Sequence, residues 1–136
     1  MIQSGEPQIE RQARDLLIGL PLPPSTNDRM IPIFRNGRPR MVLSNKAHQY
    51  LDGCGIQLKV WTLRNNWLPI NRYWPVEFYY RLANANSDSH NLIKIACDVL
   101  QQGRIFQNDK FILAREMTVE INPNNPGVVL KVPGLA

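Results

Sequence analysis

The segment that decides the fold reads Val76-Glu77-Phe78-Tyr79-Tyr80-Arg81-Leu82. Its apolar residues recur at every second position, which is typical of a β-strand with one buried face. After the turn-forming residues 84–87, the run from Ser89 to Gln102 repeats apolar residues at helical spacing, and Gly103 follows as a helix stop. The segment therefore predicts a strand followed by an amphipathic helix.

The residues before this pair predict a strand, a hairpin and a longer helix. Asp15–Leu20 is short and apolar like an internal strand. Asn36-Gly37 lies between two apolar runs, 30–34 and 38–43, and is the strongest short signal for a hairpin turn. Ser44 can cap a helix whose apolar residues alternate at spacings of four and three. These residues are Ala47, Leu51, Cys54, Leu58 and Trp61.

The residues after the pair predict a closing hairpin. Alternating apolar residues from Phe111 to Ile121 indicate one strand, and residues 122–127 turn the chain into a second strand from Val128 to Val132. Residues 1–14 are polar, and we expect them to form a loose arm or a short helix. The order of elements predicts an α+β fold with a single domain over residues 15–136, in which two main helices pack on one mixed β-sheet.

The composition suits one small domain with an anionic partner. A chain of 136 residues that is 43% apolar can build one core, and its net charge is +5. The stretch from Arg29 to Lys46 holds five basic residues and no acidic one. Such a stretch can bind phosphates, or it can be a hairpin kept soluble by its charges, and composition leaves both open.

The cysteines and the start of the chain indicate a reducing compartment. Cys54 and Cys97 lie far apart without a second ligand at zinc-site spacing, so we expect two core residues and neither a disulfide nor a zinc site. The first residues lack the basic and apolar regions of a signal peptide, and no run is long enough to cross a bilayer. We therefore expect a cytoplasmic protein with no membrane partner.

Polar residues that could carry chemistry gather around the start of the second helix. On that helix Asn91, Lys94 and Asp98 share one stripe, with Asp88 just before its first turn. Mg²⁺ takes one or two carboxylates together with water and phosphate oxygens, and Asp88 and Asp109 could supply them. A bound metal would activate a water for attack on a phosphodiester, while Lys94 could steady the developing negative charge.

Each of these residues also has a structural explanation. Asp88 could cap the helix, Asn91 and Lys94 could simply face solvent, and residues 108–109 could form a turn. Three tryptophans could likewise be core or interface residues and not platforms on which bases stack. They are Trp61, Trp67 and Trp74.

The arrangement of these residues in order resembles the RusA family of Holliday-junction resolvases, from about Leu17 to Val132. The family's LPxPPSxN opening is similar to Leu20-Pro21-Leu22-Pro23-Pro24-Ser25-Thr26-Asn27, and a basic hairpin and a Ser-led helix containing Tyr50 follow it. The family's DxDNxxKxxxDxL pattern reads here Asp88-Ser89-His90-Asn91-Leu92-Ile93-Lys94-Ile95-Ala96-Cys97-Asp98-Val99-Leu100, and an acidic turn, Asn108-Asp109, comes later.

The resemblance implies a homodimeric, metal-dependent endonuclease of bacterial or phage origin. Such an enzyme would cut four-way DNA junctions with paired nicks, in recombination and repair, without a small-molecule substrate. The implied catalytic residues are Asp88, His90, Lys94 and Asp109, of which all but the lysine would be metal ligands, with Asn91 and Asp98 as supports. The residues expected to contact DNA phosphates are Asn27, Arg29, Arg35, Arg38, Arg40 and Lys46.

Position 90 departs from the family pattern, which usually has an aspartate there. Histidine replaces a charged ligand by a neutral one, and Asn108 stands where an acid often occurs, so a site here would hold less negative charge for Mg²⁺. Imidazole remains a competent ligand for Mn²⁺, Zn²⁺ or Fe²⁺. We therefore expect Mg²⁺ as the cofactor, with Mn²⁺ as the alternative that His90 favours.

Two other functions fit the same sequence. A branched-DNA-binding protein of the same fold could have lost efficient metal chemistry through His90, and cleavage assays with Mg²⁺ and Mn²⁺ would distinguish it from the enzyme. An α+β domain could instead bind a protein partner through its aromatic residues. Failure to bind DNA, irrespective of the salt concentration, would favour that function.

Overall fold

Two helices cover one face of a five-stranded sheet, and two further strands form a sheet of their own. The computed structural model describes residues 7–12, 14–23, 30–85 and 92–134. None of the helices in these ranges is long and apolar enough to span a membrane. In chain order the elements are β1 (Gln8–Gln12), β2 (Asp15–Leu20), β3 (Met30–Arg35), β4 (Arg38–Leu43), α1 (Asn45–Arg64), β5 (Trp74–Leu82), α2 (Ile93–Gln102), a 3₁₀ turn (Asp109–Phe111), β6 (Ile112–Ile121) and β7 (Gly127–Val132).

The buried face of β5 organises the core, as its alternating sequence predicts. Its apolar residues are almost completely buried, namely Val76, Phe78, Tyr80 and Leu82. Leu130 of β7 lies beside Phe78 and pairs in turn with Ile18 of β2, so three strands present apolar side chains on one face. Both helices cover this face, α1 with Cys54 and Leu58 and α2 with residues that include Ala96, Val99 and Leu100. Burial of each large apolar side chain contributes roughly 1.5–3 kcal/mol.

The closing hairpin predicted for the C-terminal strands is wrong. The two strands exist as β6 and β7, but β5 lies between them. β6 runs parallel to β5 along one edge, and β7 runs antiparallel to β5 along the other. The connection passes the end of β5, where the Asn122 amide donates to the Leu82 carbonyl over 2.8 Å. β7 is apolar enough to be buried inside the sheet, whereas β6 is exposed over most of its length.

The N-terminal arm or short helix expected over residues 1–14 is also corrected where that range is described. Gln8–Gln12 form β1, which pairs antiparallel with β2. Ile9 lies opposite Ile18 and packs against the core. β1 lies at the edge of the sheet, where most of its side chains face solvent and can be polar. Its sequence therefore lacks the alternating apolar residues that would have predicted a strand. Residues 1–6 and 13 lie outside the described residues.

The predicted hairpin and the first predicted helix are confirmed. β3 and β4 form a two-stranded antiparallel sheet around Asn36 and Gly37, whose φ angles of 56° and 73° suit a two-residue turn. The Ser44 hydroxyl oxygen accepts a hydrogen bond of 3.2 Å from the Ala47 amide and caps α1. The Tyr50 hydroxyl donates to the Pro21 carbonyl over 2.7 Å, which ties the proline-rich segment to α1.

The end of α2 is built differently from the expected glycine stop. The helix ends before Gly103 as predicted, but the φ of Gly103 is −75°, an ordinary helical value. A Cβ added to Gly103 would lie 2.4 Å from the Leu58 Cβ, so the glycine is needed where α2 closely approaches α1. The residue in the left-handed conformation is Arg104, with a φ of 66°.

Replacing Gly103 with alanine should destabilise the protein, because the added methyl group would overlap Leu58. Overpacking of this kind typically costs about 1–3 kcal/mol. Gly53→Ala is the matched control, since a Cβ at Gly53 meets nothing within 4 Å. The control should gain roughly 0.5–1 kcal/mol from its better helix propensity. Urea unfolding measures both changes, and two variants of equal stability would contradict the close packing of α1 on α2.

Candidate active site

A lysine held between two carboxylates marks the candidate site. The Lys94 Nζ donates to Asp98 Oδ1, one helical turn later, and to Asp109 Oδ2, each over 3.0 Å. We call Lys94, Asp98 and Asp109 the Lys94 cluster. The side chains are 60%, 33% and 28% exposed, respectively, so solvent reaches the cluster without separating its charges. Two consecutive elements, α2 and the 3₁₀ turn, thus meet at one cation.

The turn that carries Asp109 is itself held in place. The Asn108 side chain accepts a hydrogen bond from the Lys110 amide over 3.0 Å and caps the 3₁₀ turn. Gln101 Oε1 accepts a hydrogen bond from the Asp109 backbone amide over 2.8 Å. Sequence reasoning missed Gln101, although it lies seven residues after Lys94 and therefore on the same helical stripe. That spacing was the available signal.

Charge at the cluster keeps Lys94 protonated. The hydrogen bond to Asp109, followed by the one to Asp98, raises the pKa of Lys94 above its usual value. The side chain is therefore a permanent cation at neutral pH, and it can act on a phosphate through its charge and its N–H donors.

The neighbouring cysteine is a neutral core residue, as predicted. Burial raises the pKa of Cys97 to about 12, and the negative charges of Asp109 and Asp98 contribute to the shift. Burial likewise raises the pKa of Cys54 to about 11, although the adjoining Tyr50 side chain acts in the opposite direction. Both thiols are free and buried. Both thiols are therefore protonated at neutral pH, which makes them poor nucleophiles.

The carboxylates of the cluster suit a divalent cation, although the described residues contain no group of three or more His, Cys, Asp or Glu able to hold a metal. Asp98 and Asp109 already converge on one cation, the Lys94 ammonium. Carboxylate oxygens are the donors that Mg²⁺ prefers, and they suit Mn²⁺ as well. Asp109 is therefore available as one carboxylate donor, and the other ligands that the resemblance implies, Asp88 and His90, lie outside the described residues.

The structure brings together three of the predicted site residues, which are those of the Lys94 cluster. The predictions for Asp88, His90 and Asn91 concern positions outside the described residues, as do those for Asn27 and Arg29. In the basic stretch, Arg38 and Arg40 are exposed on β4, and Lys46 is exposed in the first turn of α1. Only the backbone of Arg35 is described, at the end of β3.

The tryptophans have structural contacts. The Trp67 indole N–H donates to the Ile105 carbonyl over 3.1 Å, and that of Trp74 donates to the Pro133 carbonyl over 2.8 Å. Trp61 packs at a tilt against Trp67, with ring centroids 5.8 Å apart. All three are half-buried, and they fasten loops to the sheet and to α1.

A comparison with protein families places this geometry in context. The family model described as Endodeoxyribonuclease RusA matches residues 21–133. The match contains the whole Lys94 cluster and begins directly after β2. No curated protein sequence matches the chain.

Lys94→Gln should change the free energy of unfolding by only about 1 kcal/mol or less, because exposed ion pairs contribute little to stability. Leu100→Ala, on the buried side of the same helix, serves as the contrast and should cost about 2–5 kcal/mol. Urea unfolding of both variants measures the difference. A loss for Lys94→Gln as large as that for Leu100→Ala would make the Lys94 cluster a structural anchor.

Proposed function

The chain belongs to the RusA family of endodeoxyribonucleases, and from this premise we propose that it resolves Holliday junctions by metal-dependent hydrolysis, nicking two opposing strands as a homodimer. The observation that carries the proposal is the contact of Lys94 with Asp98 and Asp109 at 3.0 Å each. A lysine and two carboxylates exposed at one point match the chemistry of phosphodiester hydrolysis.

Each residue has a separate task in this proposal. In this proposal Asp88, His90 and Asp109 would hold the divalent metal, Mg²⁺ or Mn²⁺, and the metal would supply Lewis-acid chemistry at the phosphodiester and activate a water for the attack. Lys94 neutralises the negative charge that develops on the phosphate oxygens. Because Lys94 has two carboxylate partners, Asp109 can serve the metal while Asp98 still holds the ammonium. Asn91, like Asp98, would support these residues, as the family pattern implies.

The Lys94 cluster supplies a lysine and two carboxylates that an enzyme needs, and a catalytically weakened branched-DNA-binding protein would differ from the enzyme through His90. Cleavage assays with Mg²⁺ and Mn²⁺ distinguish the two. The half-buried tryptophans, with their indole hydrogen bonds to backbone carbonyls, give little support to a protein-binding domain that docks through aromatic residues. We propose a cytoplasmic enzyme of bacterial or phage origin.

Phosphate contacts by the basic stretch supply the affinity for the junction in this proposal. Arg38 and Arg40 are exposed on β4, and Lys46 is exposed at the start of α1. Asn27, Arg29 and Arg35 complete the set. Contacts to phosphates position DNA without reading its bases, which suits recognition of a branched shape.

The outer edge of β6 supports the proposed homodimer. Among the described residues β6 pairs only with β5, and Met117, Val119 and Ile121 are about half exposed along it. Glu77 and Arg81 of β5 are four residues apart and therefore lie on the same face of the sheet. Arg115 and Glu120 pair with them and lie on that face of β6 as well. If two copies pair antiparallel along this edge, Arg115 of each can face the Glu120 of the other.

Asp109→Asn and Asp88→Asn should each abolish cleavage of a four-way junction and leave junction binding intact or tighter. The amide keeps the shape of the side chain but weakens metal binding, and it removes negative charge that faces the phosphates. Asp15→Asn is the control, because Asp15 contacts Lys131 and the Gly134 amide instead. Gel assays of cleavage and of metal-free binding measure both effects. Robust nicking by either variant would remove that aspartate from the mechanism.

The choice of DNA substrate also tests the pairing of the two nicks. A supercoiled plasmid that extrudes a cruciform becomes linear when both opposing strands are cut before the enzyme leaves, whereas single nicks give open circles. We expect linear product from the wild-type protein. Open circles alone would contradict paired nicking by a dimer while leaving the endonuclease activity in place.

His90→Asp should shift the metal preference from Mn²⁺ toward Mg²⁺, because it restores a hard anionic ligand. The measurement is the initial rate of junction cleavage over matched concentrations of each metal. His48→Asp, an exposed position on α1, controls for the added charge and should leave the preference unchanged. Identical metal profiles for wild type and His90→Asp would show that His90 does not bind the metal.

A further inference from the structure

A polar cleft between α1 and α2 adjoins the Lys94 cluster and has no role in the function proposed so far. Its volume is about 450 Å³, and it is lined mainly by polar side chains: Lys59, Asp98, Gln101, Gln102, Arg104 and Gln107. Asp98 and Gln101 belong to both places, since one binds Lys94 and the other binds the Asp109 amide. A ligand in this cleft would therefore lie directly beside the candidate active site.

The cleft offers positive charge and N–H donors. Lys59 of α1 and Arg104 after α2 are both exposed, and within the described residues neither forms an ion pair. The acidic residue in the lining is Asp98, whose charge is already offset by Lys94. Lysine, arginine and glutamine side chains are common donors to phosphate oxygens. The chemistry of the lining thus suits an anion with several oxygens.

The backbone at Arg104 gives independent support. Arg104 has a φ of 66°, which costs a residue other than glycine roughly 1–2 kcal/mol. Its amide donates to the Gln101 carbonyl over 3.1 Å, an arrangement that glycine would form without strain. An arginine held in a strained position beside a cleft indicates that its side chain has a task there.

We propose that this cleft binds the sugar–phosphate backbone of the DNA strand that enters the active site, with Lys59 and Arg104 as phosphate ligands. The inference rests on the proposed function. Lys59 and Arg104 lie outside the stretch from Arg29 to Lys46, so the cleft would be a second phosphate-binding surface, separate from the basic hairpin. Contact beside Asp98 would hold the strand on the same side of α2 as Lys94. The cleft would then help to position the phosphate that is cut.

The test compares Arg104→Gly, Lys59→Gln and the double variant with Arg64→Gln. Arg64 lies on α1 outside the cleft, so its substitution removes one positive charge elsewhere on the same helix. Binding to a fluorescent four-way junction is measured by anisotropy over a KCl series without divalent metal, so that no cleavage occurs. Urea unfolding of each variant is measured in parallel.

We expect Arg104→Gly to be at least as stable as the wild type, because glycine adopts a positive φ without strain. It should nevertheless bind the junction several-fold more weakly. The slope of log affinity against log salt should flatten by about one unit for each phosphate that the variant no longer binds. Lys59→Gln should act in the same direction, the double variant should bind more weakly than either, and Arg64→Gln should bind like the wild type.

Two results would overturn the proposal. If the double variant binds the junction with the affinity and salt slope of the wild type, Lys59 and Arg104 do not bind phosphate. If Arg64→Gln binds the junction as weakly as the cleft variants do, the loss of affinity comes from net charge alone. Either result leaves junction cleavage by the wild-type protein untouched. Failure of the proposed function would instead appear as a wild-type protein that neither prefers the junction nor cuts it.

Discussion

The packing of α2 on the buried face of β5 is the contact on which the rest of the structure depends. Ile95, Ala96, Val99 and Leu100 enter the core, so the stripe with Lys94, Asp98 and Gln101 must lie on the other side of the helix. Gly103 lets α1 pack against the end of the same helix, where a larger residue would meet Leu58. The core therefore orients the polar stripe, and no contact within the site has to do so.

The Lys94 cluster illustrates how little a site of this kind contributes to folding. Its three side chains are partly exposed, and ion pairs in such a setting are screened by water. Their arrangement instead comes from neighbours with firmer support: α2 carries two of them, and the Gln101 side chain fixes the turn that carries the third. A cluster positioned by the core can exchange partners, such as a phosphate or a metal, without loss of the fold.

The sheet has two unlike edges. β1 closes one edge with a short polar strand, and β6 leaves the other edge with a long strand whose apolar residues are half exposed. A long exposed edge invites pairing with another strand, and proteins usually protect such edges. The match to the RusA family starts after β2, so β1 and β2 extend the sheet beyond the matched residues, while β6 lies within them.

The elements with local signals could be predicted from the amino-acid pattern alone. Alternation in β5, Asn36-Gly37 in the β3–β4 turn and Ser44 before α1 each specify backbone geometry within a few residues, and all three predictions are confirmed. The order of polar residues from Asp88 to Asp109 was also enough to indicate the family, which the match over residues 21–133 confirms. Such signals predict the observed backbone correctly because they depend on the dihedral preferences and the side-chain spacing of a few neighbouring residues.

Which elements contact one another could not be predicted from local patterns. β6 and β7 follow each other in sequence and were expected to pair, but the apolar β7 lies buried between β2 and β5, and β6 lies on the other side of β5. The left-handed residue after α2 is Arg104, whereas Gly103 keeps a helical φ and stands where a side chain would meet Leu58 of another helix. Asp109 reaches Lys94 for a similar reason, through a side chain of α2 that binds its backbone. Each outcome depends on contacts between different elements, and a pattern read along the chain does not contain those contacts.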